Sequence, residues 1–303
     1  MTALHAPLQW TDHAENPLID PPWPEFLIAD PTFAAPPDTP DGRWHLFAHG
    51  ILMGIHHFAS DDGVRWHRVG RVVHGMRPFL WREDGRWYLF FERLLSPWRS
   101  AIERVVSDDL VHWSRRTRVL TPSLPWEGRI ARTNGNPSLV RFDGRCRLYY
   151  SAGLSWLKDC GFPEPRHIGF AEADRPDGPF VKHPDPVLSP DPAVPHRNLG
   201  AGAIKVVAAP GGGLWGFTNG IYTDADGHSR SDIRLMASAD GIAWSYVGDR
   251  PLVTFEGDGW KRALVYALDA RRVGDRWVMF YNARDGWRRG RERIGMATSP
   301  ALP

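Results

Sequence analysis

Short apolar, aromatic-rich runs set off by turns of Gly, Asp and Pro recur along the whole chain. The most legible run follows a turn. It reads Asp41-Gly42-Arg43-Trp44-His45-Leu46-Phe47, then Asp84-Gly85-Arg86-Trp87-Tyr88-Leu89-Phe90-Phe91, then Asp143-Gly144-Arg145-Cys146-Arg147-Leu148-Tyr149-Tyr150. It returns as Gly274-Asp275-Arg276-Trp277-Val278-Met279-Phe280-Tyr281, with a weaker copy at Gly211-Gly212-Gly213-Leu214-Trp215-Gly216-Phe217. Short aromatic-rich runs bounded by turn residues are the mark of strands. Asp-Gly between two such runs signals a hairpin, because a tight I′ turn needs positive φ at both centre residues. Helical periodicity is not sustained anywhere, which disfavours βαβ folds.

A second unit follows the hairpins. Ala59-Ser60-Asp61-Asp62-Gly63-Val64-Arg65-Trp66 recurs as Val106-Ser107-Asp108-Asp109-Leu110-Val111-His112-Trp113 and as Ala237-Ser238-Ala239-Asp240-Gly241-Ile242-Ala243-Trp244. Residues 171–180 form a longer version. Each predicts a third strand, a polar turn and a fourth strand with an aromatic. The Asp and Ser side chains are expected to bind their own turn backbone. Two hairpins make a four-stranded blade, and five repeats make an all-β, five-bladed β-propeller. We expect one domain over residues 1–303, with blades near 26–74, 75–121, 132–190, 198–254 and 263–299. The last blade runs out after its third strand, and the segment near Leu8-Gln9-Trp10 is expected to add the missing outer one.

Composition agrees with this picture. Fifteen Trp beside 30 Gly and 27 Pro favour many short strands over a helical bundle. A net charge of +2 gives no argument for nucleic acid. The two cysteines, Cys146 and Cys160, make neither a disulfide framework nor a metal site. Cys146 stands where other repeats carry Trp and reads as a buried free thiol. Residues 1–5 show no signal-peptide pattern, and no apolar run reaches membrane-spanning length, so a cytoplasmic protein is expected.

The blade pattern says which residues meet. Ile28-Ala29-Asp30-Pro31-Thr32-Phe33 is echoed by Arg77-Pro78-Phe79-Leu80 and Asn136-Pro137-Ser138-Leu139. Pro is tolerated at the first residue of a strand, so each preceding polar residue is expected at one rim of the fold. The strand-one starts are Asp30, Arg77, Asn136, the Gly200-Ala201-Gly202 stretch and Tyr266 or its neighbour. Strand two returns to that rim, ending at His49, Glu92, Ser151, Asn219 with Tyr222, and Asn282 with Arg284 and Asp285. Arg132, Thr133 and Asn134 overhang the same face. A small carbohydrate or glycoside is the expected partner of this face, and no ligand cluster demands a metal or cofactor.

With five blades and Ala29-Asp30-Pro31-Thr32-Phe33 in the first, the sequence resembles the propeller glycosidases: glycoside hydrolase family 43 and its furanosidase relatives. It is also similar to the mannoside phosphorylases. The resemblance implies that Asp30 is the general base, or the nucleophile in retaining members. It further implies an Asp at the start of blade three and a later Glu as proton donor. Blade three here opens with Asn136-Pro137, and blade four offers no Glu near the axis, so only Asp30 carries over.

Glycoside hydrolysis needs two carboxyl groups, one ionised and one protonated. Glu92, leaving the apolar run Tyr88-Leu89-Phe90-Phe91, is the expected acid, since desolvation raises a carboxyl pKa. Arg77 or Arg93 nearby would favour the anion. Asp285 is the next candidate for the second carboxylate, and His49 a third. A glycosyl transfer to phosphate is the alternative, with Arg77, Arg93, Arg132 and His49 as its anion site. A propeller that has lost the chemistry, and binds carbohydrate or carries out a non-hydrolytic reaction such as elimination or cyclisation on a small metabolite, is another, favoured by Asn136 and the lack of a Glu in blade four. Trp23, Trp81, Trp98 and Trp156 are candidates for stacking on sugar rings.

Overall fold

The Asp-Gly turns reverse the chain with both centre residues in the left-handed region: Asp84 and Gly85 at φ 51° and 75°, Asp143 and Gly144 at 49° and 74°. These turns set the strand order. The computed structural model describes residues 8–300; residues 1–5, where the leader pattern was sought, lie outside the described residues.

The chain opens with β1 (Thr11–Asp12). Blade one is β2 (Ala29–Ala34), β3 (Trp44–Gly50), β4 (Gly54–Ser60) and β5 (His67–Val73). Blade two is β6 (Met76–Glu83), β7 (Arg86–Ser96), β8 (Arg99–Ser107) and β9 (Thr117–Leu120). Blade three is β10 (Asn134–Phe142), β11 (Arg145–Leu157), β12 (Phe162–Ala173) and β13 (Val181–Lys182). Blade four is β14 (Gly200–Ala208), β15 (Leu214–Thr223), β17 (Arg234–Ser238) and β18 (Ser245–Tyr246), with the short β16 (Ser229–Ser231) also on β15. Blade five is β19 (Leu264–Val273), β20 (Arg276–Arg284) and β21 (Glu292–Pro300), and its outer strand is β1, with Thr11 opposite Thr298. The result is a five-bladed, all-β propeller.

Each blade is covered on both faces by its neighbours, so its middle strands are buried on both sides and read as nearly continuous apolar runs. One hydrophobic cluster fills each gap between blades. Phe33, Leu46 and Phe58 meet Phe280 and Met296 between blades one and five. Phe47 and Ile55 meet Leu80 and Leu89 in the next gap, and Phe90 and Ile102 meet Leu148 and Tyr150 after it. Tyr149 and Phe170 face Ile204 and Met236, and Phe217 faces Met279 and Tyr281. Fully burying one such side chain contributes roughly 1.5–3 kcal/mol.

The Asp and Ser residues of the second repeat cap their own turns. Ser60 Oγ accepts the Gly63 N–H at 2.9 Å, while Asp62 accepts the Val64 and Arg65 amides, each at 2.8 Å. Ser107 with Asp109 and Ser238 with Asp240 do the same. These amides hold the Asp62 carboxyl down at about 2.

Polar side chains tie the inner strands together along the axis. Thr32 donates to Asp269 at 2.7 Å, and Arg271 pairs with Asp269 while donating to the Leu80 carbonyl. Lys205 Nζ donates to the Pro137 carbonyl at 2.9 Å. Three of the five inner strands place side chains in this plug, and β6 and β10 contribute the backbone carbonyls of Leu80 and Pro137. The plug stands further along the same inner strands than the site described next.

Candidate active site

Near its start, the first strand of every blade breaks register by a bulge. The breaks lie between Ala29 and Thr32, Met76 and Phe79, Gly135 and Ser138, Gly200 and Ala203, and Tyr266 and Leu268. At each break one residue has positive φ: Asp30 (52°), Arg77 (51°), Asn136 (48°), Gly202 (67°) and Ala267 (35°). A bulge re-aims a side chain. A non-Gly residue held there costs roughly 1–3 kcal/mol, a cost that structures retain where the strain serves a site. Blades one to three therefore aim a carboxylate, a guanidinium and an amide at one place, while blades four and five contribute almost no side chain there. At Gly202 only glycine fits, since a Cβ would sit 1.8 Å from the Asn219 carbonyl oxygen.

All five residues line one cavity of about 420 Å³ on the axis, above the polar plug. The Asp30 amide donates to Asn282 Oδ1 at 3.0 Å. Asn282 in turn donates to Glu292, which also receives Arg284 Nη1 at 2.9 Å. His49 Nδ1 accepts the Arg77 amide at 3.3 Å and lies 3.4 Å from Asp30 Oδ2. Burial pushes its pKa down, with Arg77 adding to the effect and the Asp30 and Glu92 carboxylates opposing it. A neutral ring whose Nδ1 accepts a proton donor holds the Arg77 backbone in its left-handed turn. This is a positioning role.

Glu92 does not stand free in the cavity. Its Oε2 accepts Arg77 Nη1 at 2.7 Å. Burial works against the Arg77 charge, yet the Glu92, Asp30 and Glu164 carboxylates outweigh it and hold the guanidinium firmly protonated. Opposite Met76 in the register, Glu92 is the counter-ion that the Arg77 bulge requires.

Two acids that enter from the third strands were not anticipated. Glu164 in β12 and Glu292 at the start of β21 are both buried and both line the cavity. Among the described residues nothing donates a hydrogen bond to the Glu164 side chain. Burial pushes its carboxyl up to about 8, helped by the Asp30 and Glu292 carboxylates and opposed by Arg77 and Arg284. Burial also raises Glu292, against the lowering contacts of Tyr266 and Arg284. The signal that finds these residues is topological: strand two ends at the active rim, so strand three begins there.

The structure brings Asp30, His49, Arg77, Glu92, Asn136, Asn219, Tyr266 and Arg284 to the cavity wall. Asn282 lies just behind it, joining Asp30 to Glu292. Other expected residues are elsewhere. Asp285 follows the end of β20 outward and pairs with Arg293 at 2.7 Å, lining a separate surface pocket with Trp287. Tyr222 donates its hydroxyl to Asp232 at 3.2 Å. Asn134 is consumed by the buried group of Glu127 and Lys182, and Arg132 donates to the Leu124 carbonyl. Arg93 reaches the His74 carbonyl and lies near Glu103 rather than the cavity. Trp81 bonds Glu83 toward the far end of β6, whereas Trp23, Trp98 and Trp156 are exposed. Both cysteines are buried and free, and burial lifts the Cys146 and Cys160 thiols to about 11 and about 12.

No protein-family model matches the chain, and no curated protein does. Solved structures do. The catalytic domain of a family 62 α-L-arabinofuranosidase from Coprinopsis cinerea superposes with a TM-score of 0.68 at 15% identity, covering 96% of this chain and 97% of that one. A family 117 glycoside hydrolase from Zobellia galactanivorans gives 0.63 at 14% identity, over 97% and 90%. An N-acetylgalactosamine deacetylase from F. plautii, in complex with blood group B trisaccharide, gives 0.66 at 12%, over 97% and 94%. The chain thus has the fold of five-bladed propellers that include glycoside hydrolases.

Proposed function

We propose that this protein hydrolyses a glycoside, with Asp30 and Glu164 as the two carboxyl groups. The observation that carries the reading is the contrast between them within one cavity. Asp30 is fixed by its bulge and by Asn282, whereas Glu164 is buried without a hydrogen-bond donor and holds its proton to about pH 8. Such divergent environments assign acid and base roles to a carboxyl pair. Glu164 gives its proton to the glycosidic oxygen as the bond from that oxygen to the anomeric carbon breaks. Water attacks the anomeric carbon and loses a proton to Asp30, releasing the sugar and the alcohol. Arg77, Asn136, Asn219, Tyr266 and Arg284 surround the sugar and its hydroxyls. Glycosides bound or cleaved by the neighbours, such as arabinofuranosides, are the first sugars to try.

Transfer to phosphate has less support, because Arg93 and Arg132 point away and Arg77 is paired with Glu92. A panel of aryl furanosides and pyranosides, with and without phosphate, tests the reading. Turnover without phosphate is expected, lost about 100-fold or more in Asp30→Asn on every substrate and in Glu164→Gln on glycosides whose leaving group needs a proton. A strict phosphate requirement, or sugar binding with no turnover at all, contradicts it; the second result favours a binding propeller, to which Asn136 already points.

A further inference from the structure

The cavity has an inverted polarity. Its buried wall carries the charged groups, Asp30, Glu92, Glu164, Arg284 and Glu292, set among small apolar residues such as Ala29 and Ala203. Its exposed wall is made of Phe26, Ile51, Leu94, Pro97 and Arg99, of which Arg99 alone is polar. Phe26 is 59% exposed and Leu94 51%, in a protein whose other apolar side chains are mostly buried. Large exposed apolar groups gathered in one place mark a binding surface. Half-buried Leu154 and Phe162 continue the collar on the blade-three side.

The collar is built rather than incidental. Glu25, buried beside Phe26, accepts the Leu52 and Met53 amides at 2.9 and 2.6 Å and lies 3.2 Å from His56 Nε2. One carboxylate thereby locks the segment carrying Phe26 to the turn carrying Ile51. The residue before that turn, Gly50, admits no Cβ, because one would fall 2.1 Å from the Glu25 carboxyl carbon. Preorganisation of this kind lowers the cost of binding.

On the glycosidase reading just given, we infer that the leaving group is an apolar alcohol, alkyl or aryl, and not another sugar. The scissile bond is placed between Asp30 and Glu164 on that reading, and the hydrogen-bonded, buried Thr32, Lys205 and Asp269 stand further along the same inner strands, on the side away from the collar. The leaving group therefore points outward along the collar. A second sugar would bring hydroxyls that need partners there, and the polar side chains on offer are exposed Arg99, half-buried Thr133 and Arg77, the last already paired with Glu92.

The test compares n-hexyl and methyl glycosides of whichever sugar is turned over, two leaving groups of closely similar acidity. The expected kcat/KM ratio is about 50 in favour of hexyl, the effect of about three buried methylenes. It falls to about 5 in Phe26→Ser/Leu94→Ser, and is kept by Val181→Ser, an exposed residue of β13 outside the cavity. Thermal unfolding of each variant verifies that it is folded. Calorimetry with n-hexanol gives a readout independent of turnover: binding is expected in wild type and Glu164→Gln, and weakened at least tenfold in the double variant. Equal rates for the two glycosides, or a faster disaccharide, overturn the inference and leave the glycosidase reading standing. If no glycoside is turned over while hexanol binds, the leaving-group assignment falls together with that reading.

Discussion

Arg77 Nη1 meets Glu92 Oε2 at 2.7 Å, inside the cavity but paired with each other. This pair decides between two acids. On the proposed mechanism the pairing with half-buried Arg77 favours Glu164 over Glu92 as the acid, because Glu164 has no such partner.

Removing Glu92 should therefore damage the fold more than the chemistry. Glu92→Gln removes the nearest carboxylate from half-buried Arg77 and leaves Asp30 as the remaining nearby anion, and losing one partner of such a hydrogen-bonded pair costs about 1–3 kcal/mol. Denaturant unfolding should show that loss. The alkaline limb of the pH–rate profile should stay where it is in wild type.

Glu164 should make stability depend on pH in the direction opposite to an ordinary salt-bridged acid. Its folded value of about 8 lies above the usual 4.5, so the folded chain holds an extra proton between those limits. The stability this confers is complete below pH 4.5 and is lost as pH rises through 8. Glu164→Gln should therefore be the more stable protein at pH 9, by up to ~5 kcal/mol, and this advantage should shrink toward pH 5. Urea unfolding at both pH values reads it.

Asp285 should prove dispensable. It pairs with Arg293 outside the cavity, so Asp285→Asn should leave kcat/KM within about threefold of wild type, surface pairs being worth about 1 kcal/mol or less.

Gly202 should not tolerate a side chain. A Cβ at φ 67° and 1.8 Å from the Asn219 oxygen forces the blade-four bulge to move. Gly202→Ala should lose about 3 kcal/mol in unfolding free energy, and should lower turnover because Asn219 lines the site.

The propeller was legible because its turns are local: Asp-Gly and Ser-x-Asp recur with aromatics at fixed offsets, and each hairpin carries its own instruction. Asp30, Arg77 and Asn136 were legible for a related reason, since the Pro after each marks a strand start. Glu164 and Glu292 were hidden because nothing beside them in the chain marks the rim. Pro163-Glu164-Pro165 begins the return arm of a hairpin longer than the others, with Ser155 opposite Glu164, and only its length carries Glu164 to the axis. Asp285 misled in the opposite way: it follows the right strand end, but the chain has by then turned outward. Glu92 was placed well, with Arg77 or Arg93 named as its cationic neighbour; that Arg77 makes the pair depends on the bulge that turns it onto Glu92, a tertiary feature.

The most direct test of the account is kcat against pH for an alkyl glycoside, whose leaving group needs a proton. In wild type kcat should fall above about pH 8 as Glu164 ionises. In Glu164→Gln it should be lower by about 10²–10⁴ and should show no such fall, as expected when a general acid is removed. A Glu164→Gln protein that keeps wild-type kcat and the same alkaline limb would contradict the assignment of Glu164 and, with it, the two-carboxyl account of this cavity.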